Sequence, residues 1–274
     1  MKLVSYKGFN ALSLDICIGG IVCLLAFSKI LDVTLGYPAI ILLGTSIWLI
    51  YTFDHLVDAN RLKDTATTLR HIVHWRYRRT ITAVFSGVLI ISTYYLFLLP
   101  METVKWGIII AIVVLIYFAL VFKKRDKALW FKEVSSSFIY TVGVFTPILS
   151  VMGQADYLNV FLLVFSFWCV VIINLLVFSI CERKVDIENS FESIATRIGL
   201  SNVSKIICSI VVVFVVLYTI SLLREANFAV MNMLFLMLIV LIALLYLNRM
   251  NLLKDNIHRY FGDGVFFLPA FFLF

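Results

Sequence analysis

The apolar positions of this chain fall into long runs separated by short polar stretches. Each of eight runs has about the length that a helix needs to cross a bilayer. They cover residues 10–31, 36–57, 80–99, 104–122, 129–152, 158–181, 202–223 and 227–247. A last apolar piece, 265–274, is too short to cross, so we expect either half of a ninth helix or an interfacial segment. The pattern predicts an all-α, polytopic membrane protein with eight to nine transmembrane helices.

Two of these runs end in the same polar pattern, read at intervals of four residues. The second run carries Ser46, Ile50, Asp54 and Asp58, and the sixth carries Asn174, Phe178, Glu182 and Asp186. Because residues four apart lie on one face of a helix, each helix presents a ladder that ends in two carboxylates. The match predicts two pseudo-repeated four-helix halves around a central cavity, within a single domain that spans residues 1–274.

Composition and charge agree with a membrane protein and suggest its orientation. The chain is 62% hydrophobic and 14% charged, whereas a soluble domain is about half apolar and a quarter charged. Of the 23 Lys and Arg residues, 20 lie at the N-terminus, in alternate connections or in the C-terminal segment. Basic connections face the cytoplasm, so the site is predicted to face it too, from the plasma or inner membrane if the protein is bacterial. The net charge of +7 suggests membrane lipids as partners and gives no indication of nucleic acid.

The four carboxylates are costly where they stand. Acids at helix C-termini oppose the helix dipole, like charges four apart repel, and membrane burial adds to the cost. A cation would offset these terms, and oxygen ligands favour Mg²⁺ before Ca²⁺, often with substrate phosphates. The simpler explanation is that each acid pairs with a neighbouring Arg or Lys at a helix end. Two pairs at matching places favour the metal site, with ligands Asp54, Asp58, Glu182 and Asp186.

The cytoplasmic connections carry the cations that a diphosphate would need. Arg and Lys beside Mg²⁺ can hold a diphosphate and stabilise its charge as it leaves. The candidates are Arg61, Lys63 and Arg70 after the first acid pair, and Lys123 and Lys124 in the next basic connection. The alternative is that these residues only set the topology or contact lipid headgroups.

The motifs resemble those of the UbiA superfamily of intramembrane prenyltransferases. The stretch "IYTFDHLVD" is similar to the family's first acidic motif, "ERKVDIENSFESIATRIG" to its second motif and tail, and "YFALVFKKR" to its basic connection. The resemblance implies nine helices, Mg²⁺ held by the four acids, and transfer of an isoprenyl group from an allylic diphosphate. The implied acceptor is an aromatic, quinone-precursor-like ring or a lipid. His55 stands where the family often has a basic residue, which implies a contact with diphosphate.

Two departures from the family's motifs keep other functions open. Ile50 replaces an expected Asn, and Glu192 replaces the Lys that often precedes the Ser of the tail. An altered substrate or a degenerate isoprenoid-binding protein without turnover is therefore an alternative. A terpene cyclase of the same superfamily is another, because it shares the ionisation site and needs no external acceptor. A cation transporter fits less well because its acids would lie near the bilayer midplane, and "DHLVDANR" lacks the glycine of a CDP-alcohol phosphotransferase motif.

Two further polar residues lie inside predicted helices. Asp15, in the cytoplasmic half of the first run, is expected either to orient an acceptor or to pair with a basic residue. Asn174 lies two turns above Glu182 on the same ladder, so it either points into the cavity or makes an interhelical hydrogen bond. Both are candidate cavity or acceptor residues.

Overall fold

The structure is a computed structural model that describes residues 6–123, 132–153, 156–189, 191–225, 228–250 and 257–274, without the side chains of 121–123 and 228. These ranges contain helices and no strand. The α-helices are α1 (Tyr6–Ala11), α2 (Leu14–Ile30), α3 (Tyr37–Leu62), α4 (Leu69–Arg76), α5 (Arg78–Leu96), α6 (Met101–Lys123), α7 (Lys132–Val151), α8 (Tyr157–Glu188), α9 (Ile194–Ile198), α10 (Leu200–Leu223), α11 (Phe228–Arg249) and α12 (Ile257–Gly264). Two 3₁₀ helices, Lys63–Thr65 and Val265–Phe272, complete the described secondary structure.

Seven of these helices are long and apolar enough to cross a membrane. They are α3, α5, α6, α7, α8, α10 and α11, and they correspond to the second to eighth apolar runs of the sequence. The prediction of an all-α, polytopic membrane protein is confirmed.

The first apolar run is divided in two. Helix α1 ends at Ala11 and α2 begins at Leu14, and between them Ser13 adopts the left-handed conformation, with φ of 58°. The Ser13 hydroxyl forms a 3.1 Å hydrogen bond with Nε2 of His55 on α3. Helix α2 has 17 residues, a length of about 26 Å, which is slightly short for a bilayer core of about 30 Å. The predicted continuous run over 10–31 therefore holds only from Leu14 onward.

The C-terminal segment consists of two short helices, α12 and the 3₁₀ helix with Pro269 inside it, and each is too short to cross a bilayer. Both pack against α2. Gly19 of α2 makes this approach possible, because a Cβ atom there would lie 2.9 Å from Cβ of Phe266. The segment predicted as half a helix or an interfacial piece, residues 265–274, therefore packs against α2.

Helix α8 lies at the centre of the structure. In its most apolar stretch 72% of the residues are buried, compared with 11% in α5 and 17% in α6. It packs against α7, α10, α11 and α12. The aromatic core beside it includes Phe27, Phe145 and Phe167, with ring centroids 4.8 Å apart for the first two and 4.9 Å apart for Phe27 and Phe167. Helices α5 and α6 therefore present most of their surface to lipid.

The order of helices and contacts repeats along the chain. Helix α3 packs between α2 and α5, and α8 packs in the same way between α7 and α10. A short helix follows each acid-bearing helix, α4 after α3 and α9 after α8. The two runs of helices meet where α7 packs against α2, α3 and α6. This correspondence places the C-terminal ends of α3 and α8 at equivalent points of the fold.

Candidate functional site

A cavity of about 1250 Å³ lies between α3, α5, α6, α7 and α8. Every residue of the two predicted ladders lines it: Ser46, Ile50, Asp54, Asp58, Asn174, Phe178, Glu182 and Asp186. The structure thus brings the four predicted acids to one cavity. It does so because α3 continues to Leu62 and α8 to Glu188, beyond the apolar runs, so that the spacing of four keeps each acid pair on a single helical face.

The acid pair on α3 faces a cation from α7. Nζ of Lys132 lies 3.2 Å from Oδ2 of Asp54 and 4.0 Å from Oδ2 of Asp58. On its other side, Oδ2 of Asp58 lies 3.9 Å from Nε2 of His71 on α4. The ammonium group therefore bridges the two carboxylates and offsets the repulsion expected for acids four residues apart.

The acid pair on α8 also has a cation, supplied by the C-terminal helix α12. Arg259 binds Glu182 with two hydrogen bonds, from Nε to Oε1 and from Nη2 to Oε2. His258 makes a third contact, with Nε2 3.1 Å from Oε1 of Glu182. Paired hydrogen bonds between a guanidinium and a carboxylate are among the strongest that side chains form. Asp186 lines the cavity one turn further along α8.

The two acid pairs thus share one arrangement. The first acid of each pair, Asp54 or Glu182, accepts hydrogen bonds from a cation that comes from a different helix. The second acid, Asp58 or Asp186, lies a turn closer to the helix end and also lines the cavity. Each half of the protein therefore presents a neutralised acid with a further carboxylate beyond it.

The segment after α8 is fixed by hydrogen bonds to its backbone. The Ile194 N–H donates to Oε1 of Glu133 on α7 at 2.8 Å, and the Ala195 N–H donates to Oγ of Ser179 at 3.0 Å. The side chain of Arg183 donates to the carbonyl of Ala195 at 3.2 Å. These bonds hold residues 191–193 at the cavity wall, which includes Glu192, the residue that stands where the UbiA-like motif often has Lys.

Several predicted basic residues lie at the same end of the cavity as the acids. Arg61 and Arg70 line it, together with Arg78 and Arg79 from the start of α5. The guanidinium of Arg61 lies over the ring of Phe191, 5.3 Å from its centroid. Lys63 is exposed and does not line the cavity. The cavity therefore has a basic rim that sequence analysis identified only in part.

Lys124 lies outside the described residues, as does the side chain of Lys123 at the end of α6. The prediction that these two lysines bind diphosphate is therefore not tested by the structure.

The groups on α4 are affected by their burial and by one another. Burial and the positive charge of Arg259 lower the pKa of Arg70 to about 10, which leaves it charged at neutral pH. Burial, with Arg70 and Arg259, lowers the pKa of His71 to about 3, so His71 is neutral. The positive charge at this end of the cavity thus comes from Arg and Lys side chains, and His71 contributes hydrogen bonding alone.

The remaining predicted residues differ in their access to the cavity. His55 lines it, but its Nε2 is engaged by Ser13. Asn174 lines it with a buried Oδ1 that has no hydrogen-bond partner among the described residues. Asp15 is fully buried and lies behind the cavity wall, where it accepts a hydrogen bond from Asn10. Asp15 was predicted either to orient an acceptor or to pair with a basic residue. Its side chain accepts from the Asn10 amide, and a role toward an acceptor stays a prediction.

Helix α12 contributes residues to the cavity that the sequence did not predict. Arg259 and Asp263 both line the cavity, and His258 contacts Glu182. Arg259 and Asp263 are four residues apart, the same spacing that revealed the acid ladders. The spacing of four was visible in the sequence, but it lies in an eight-residue helix between the last long apolar run and the apolar tail, outside any predicted helix.

Beyond the charged end, the cavity wall is apolar and aromatic. Phe53, Phe85, Tyr117 and Phe118 contribute rings, with those of Phe53 and Phe118 5.0 Å apart in an edge-to-face arrangement. Aromatic faces stabilise a nearby cation, most strongly where water is excluded. The site therefore combines a carboxylate and guanidinium end with a wall suited to an apolar or transiently cationic group.

The acids of the cavity could serve Mg²⁺ only as a small set of ligands. Among the described residues, no group of three or more His, Cys, Asp or Glu side chains is close enough to hold one ion. Mg²⁺, however, is often held by only one or two carboxylates and completed by water and substrate phosphates. Asp58 and Asp186, each one turn beyond a neutralised acid, provide that smaller set at the cavity wall.

Comparison of the chain with protein-family models, with curated proteins and with solved structures found no match. The functional argument therefore rests on the residues and geometry of this site.

Proposed function

We propose that this protein is a membrane-embedded prenyltransferase that moves an isoprenyl group from an allylic diphosphate to a hydrophobic acceptor in a Mg²⁺-dependent reaction. The observation that carries this proposal is the meeting of two matching acid ladders, from α3 and α8, at one cavity with a basic end and an aromatic wall. Charged groups fit the diphosphate, and the apolar wall fits the isoprenoid chain. This is also the activity that the UbiA-like motifs imply.

In this proposal Asp58 and Asp186 would hold the metal, while Asp54 and Glu182 stay paired with Lys132 and Arg259. When bound, Mg²⁺ would neutralise charge on the diphosphate as the carbon–oxygen bond breaks. Lys132 neutralises the first acid of its pair and lies where it can donate to diphosphate oxygens.

On the opposite side, Arg259 has the same position relative to Glu182, and Arg61 and Arg70 extend the basic surface. Donors fixed in advance around a leaving group stabilise its developing charge at little reorganisation cost. Rings such as those of Phe53 and Phe118 stabilise the allylic cation and exclude water from it.

A second candidate is an isoprenoid-binding protein without turnover. The specific observation in its favour is that Lys132 and Arg259 pair with Asp54 and Glu182, the first acid of each ladder. Glu192 adds a carboxylate at the wall, and its Oε2 has no hydrogen-bond partner among the described residues. A charge of this sign would repel a diphosphate. A terpene cyclase would use the same ionisation site and differ only in its product.

The test is Mg²⁺-dependent diphosphate release from purified protein with C10 to C40 allylic diphosphates, each with and without candidate acceptors. We expect release to require Mg²⁺ and to fall by roughly 10²-fold or more in Asp58→Asn and Asp186→Asn, as typical for loss of a transition-state contact. Asp32→Asn is the matched control, because Asp32 is exposed in the connection between α2 and α3.

The organic product separates the enzymatic alternatives, because a prenylated acceptor indicates transfer and a cyclic hydrocarbon indicates cyclisation. Tight binding of a non-reactive thiodiphosphate analogue with no release from the reactive substrates would favour the binding protein. If the protein neither binds the analogue nor releases diphosphate, the proposal is wrong.

A further inference from the structure

A pair of buried carboxylates on the inner side of the cavity has no role in the proposed ionisation of the donor. Asp15 of α2 is 0% exposed and Asp263 of α12 is 4% exposed. Nδ2 of Asn10 donates to both, at 2.5 Å to Oδ2 of Asp15 and 3.1 Å to Oδ2 of Asp263. Of the two acids, only Asp263 lines the cavity. The pair is thus open to the cavity at one end only.

Two carboxylates that share one amide donor in a buried place do not both ionise easily, because their charges repel and burial penalises each. Burial and the neighbouring charge of Asp15 raise the pKa of Asp263 to about 7, against the opposing charges of Arg259 and Arg70. Four further ionisable groups interact with the pair. They are Tyr6, Cys17 on α2, Tyr51 on α3 and Tyr140 on α7. The pair is therefore suited to exchange one proton near neutral pH.

Two unpartnered polar groups line the same cavity as Asp263. Oδ1 of Asn174 and the hydroxyl of Tyr140 are buried, line the cavity and have no hydrogen-bond partner among the described residues. Asn174 adjoins the residue before Asp263, since a Cβ on Gly262 would lie 2.8 Å from its Oδ1. Buried polar groups are nearly always satisfied, so a ligand with hydrogen-bonding groups of its own would fit beside these two.

Helix α12 links this polar wall to the ionisation site. Arg259 and Asp263 are one turn apart, about 6 Å along the helix axis, and Arg259 holds Glu182 at the opposite end of that turn. A molecule bound beside Asp263 would therefore lie next to the reacting end of a bound donor and not at the far end of its chain.

We propose that Asp263 is the catalytic base for the acceptor, and that the acceptor is an aromatic ring with a hydroxyl group that hydrogen-bonds to Asn174 and Tyr140. This inference rests on the proposed prenyl transfer. Asp15 is a positioning residue that acts on Asp263 through Asn10. In the reaction, the carbon–oxygen bond of the donor breaks and its electron pair leaves with diphosphate. The acceptor's oxygen or ring carbon then bonds to the allylic carbon, and the proton that the acceptor loses passes to the Asp263 carboxylate.

The test uses geranylgeranyl diphosphate with phenol, hydroquinone and 1,4-dihydroxynaphthalene, each compared with its methyl ether, in the wild type, Asp263→Asn and the exposed control Asp32→Asn. Three quantities are measured: binding of the geranylgeranyl thiodiphosphate analogue, diphosphate release, and prenylated product. We expect Asp263→Asn to keep analogue binding and diphosphate release but to give at least roughly 10²-fold less prenylated product, the usual size of a general-base effect. Retained binding also shows that the variant is folded.

The pH profile gives a readout that a purely structural role would not produce. Asp263 must be deprotonated to accept a proton, so the ratio of product to released diphosphate in the wild type should rise with pH through about 7. This rise should be absent in Asp263→Asn. Wild-type protein that binds no analogue would overturn the proposed function and this inference together. Three results with normal analogue binding would overturn only this inference. They are prenylated product that does not depend on Asp263, equal use of the methyl ethers, and no transfer to any of the three hydroxylated rings.

Discussion

The contact between Arg259 and Glu182 allows a sharp test of the way α12 is held. Replacing Arg259 with Met keeps an unbranched apolar side chain but removes both guanidinium hydrogen bonds. The Glu182 carboxylate, 20% exposed, then loses its main cationic partner. His258 stays in contact at 3.1 Å, and its ring N–H can still donate one hydrogen bond.

The expected loss is large because one charge of a mostly buried pair is left uncompensated. Removing one partner of such a pair costs about 3–5 kcal/mol. For a chain of this size each 1 kcal/mol lowers the unfolding midpoint by about 2–4 °C, so we expect a decrease of about 6–20 °C. Arg224→Met is the matched control, since its pair with Asp156 has side chains 39% and 47% exposed. An exposed pair contributes about 0–1 kcal/mol.

The assay is thermal unfolding of the purified protein in one detergent, followed by tryptophan fluorescence, for both variants and the wild type. The double variant Arg259→Met with Glu182→Gln removes the stranded charge as well. It should be more stable than Arg259→Met alone, because a neutral amide costs less to bury than a carboxylate. The reasoning fails if Arg259→Met lowers the midpoint no more than Arg224→Met does, or if the double variant is less stable than Arg259→Met alone.

Two further predictions concern packing and pH. Gly262→Ala would place a Cβ 2.4 Å from the ring of Phe178, so we expect the free energy of unfolding to fall by about 1–3 kcal/mol. The control is Gly87→Ala on α5, where a Cβ meets nothing within 4 Å and the change should be neutral or slightly stabilising. Equal thermal unfolding midpoints for the two variants would contradict this. Burial and the charge of Arg70 lower the pKa of His74, so the unfolded chain binds more protons below about pH 6.5 and stability falls as pH decreases. His74→Asn can keep the 2.8 Å contact to the Arg70 carbonyl. It should lose less stability than the wild type between pH 7.5 and pH 5.5. Thermal unfolding midpoints of both proteins at the two pH values check this.

The acid ladders were predictable because the spacing of residues along a helix determines which face of the helix each side chain lies on. Once the second and sixth runs are helices, a spacing of four places Asp54 beside Asp58, and Glu182 beside Asp186, without any knowledge of the tertiary structure. Their meeting at one cavity was predicted from the matching places of the two runs. The structure adds that both helices continue past their apolar runs, to Leu62 and Glu188. Hydropathy alone would end each helix earlier.

The cations that hold these acids were not predictable in the same way. Lys132 reaches Asp54 across 78 residues of sequence and Arg259 reaches Glu182 across 77, so the choice depends on tertiary packing. The division of the first run at Ser13 had no signal either, since serine is found within helices and at their ends alike. Its left-handed conformation is coupled to a hydrogen bond with His55, which lies 42 residues away.

The thin outer wall of the cavity has a consequence for how substrates are supplied. Helices α5 and α6 contribute wall residues such as Phe85 and Val114, yet most of their residues are exposed on the surface of the chain. In a bilayer that surface meets lipid, so one layer of helix separates the cavity from the phase in which an isoprenoid chain dissolves. For the proposed prenyl transfer, substrate supply should then depend on the mole fraction of donor in the lipid and not on its concentration in water. An apparent KM expressed per volume of solution would rise in proportion to the amount of lipid added.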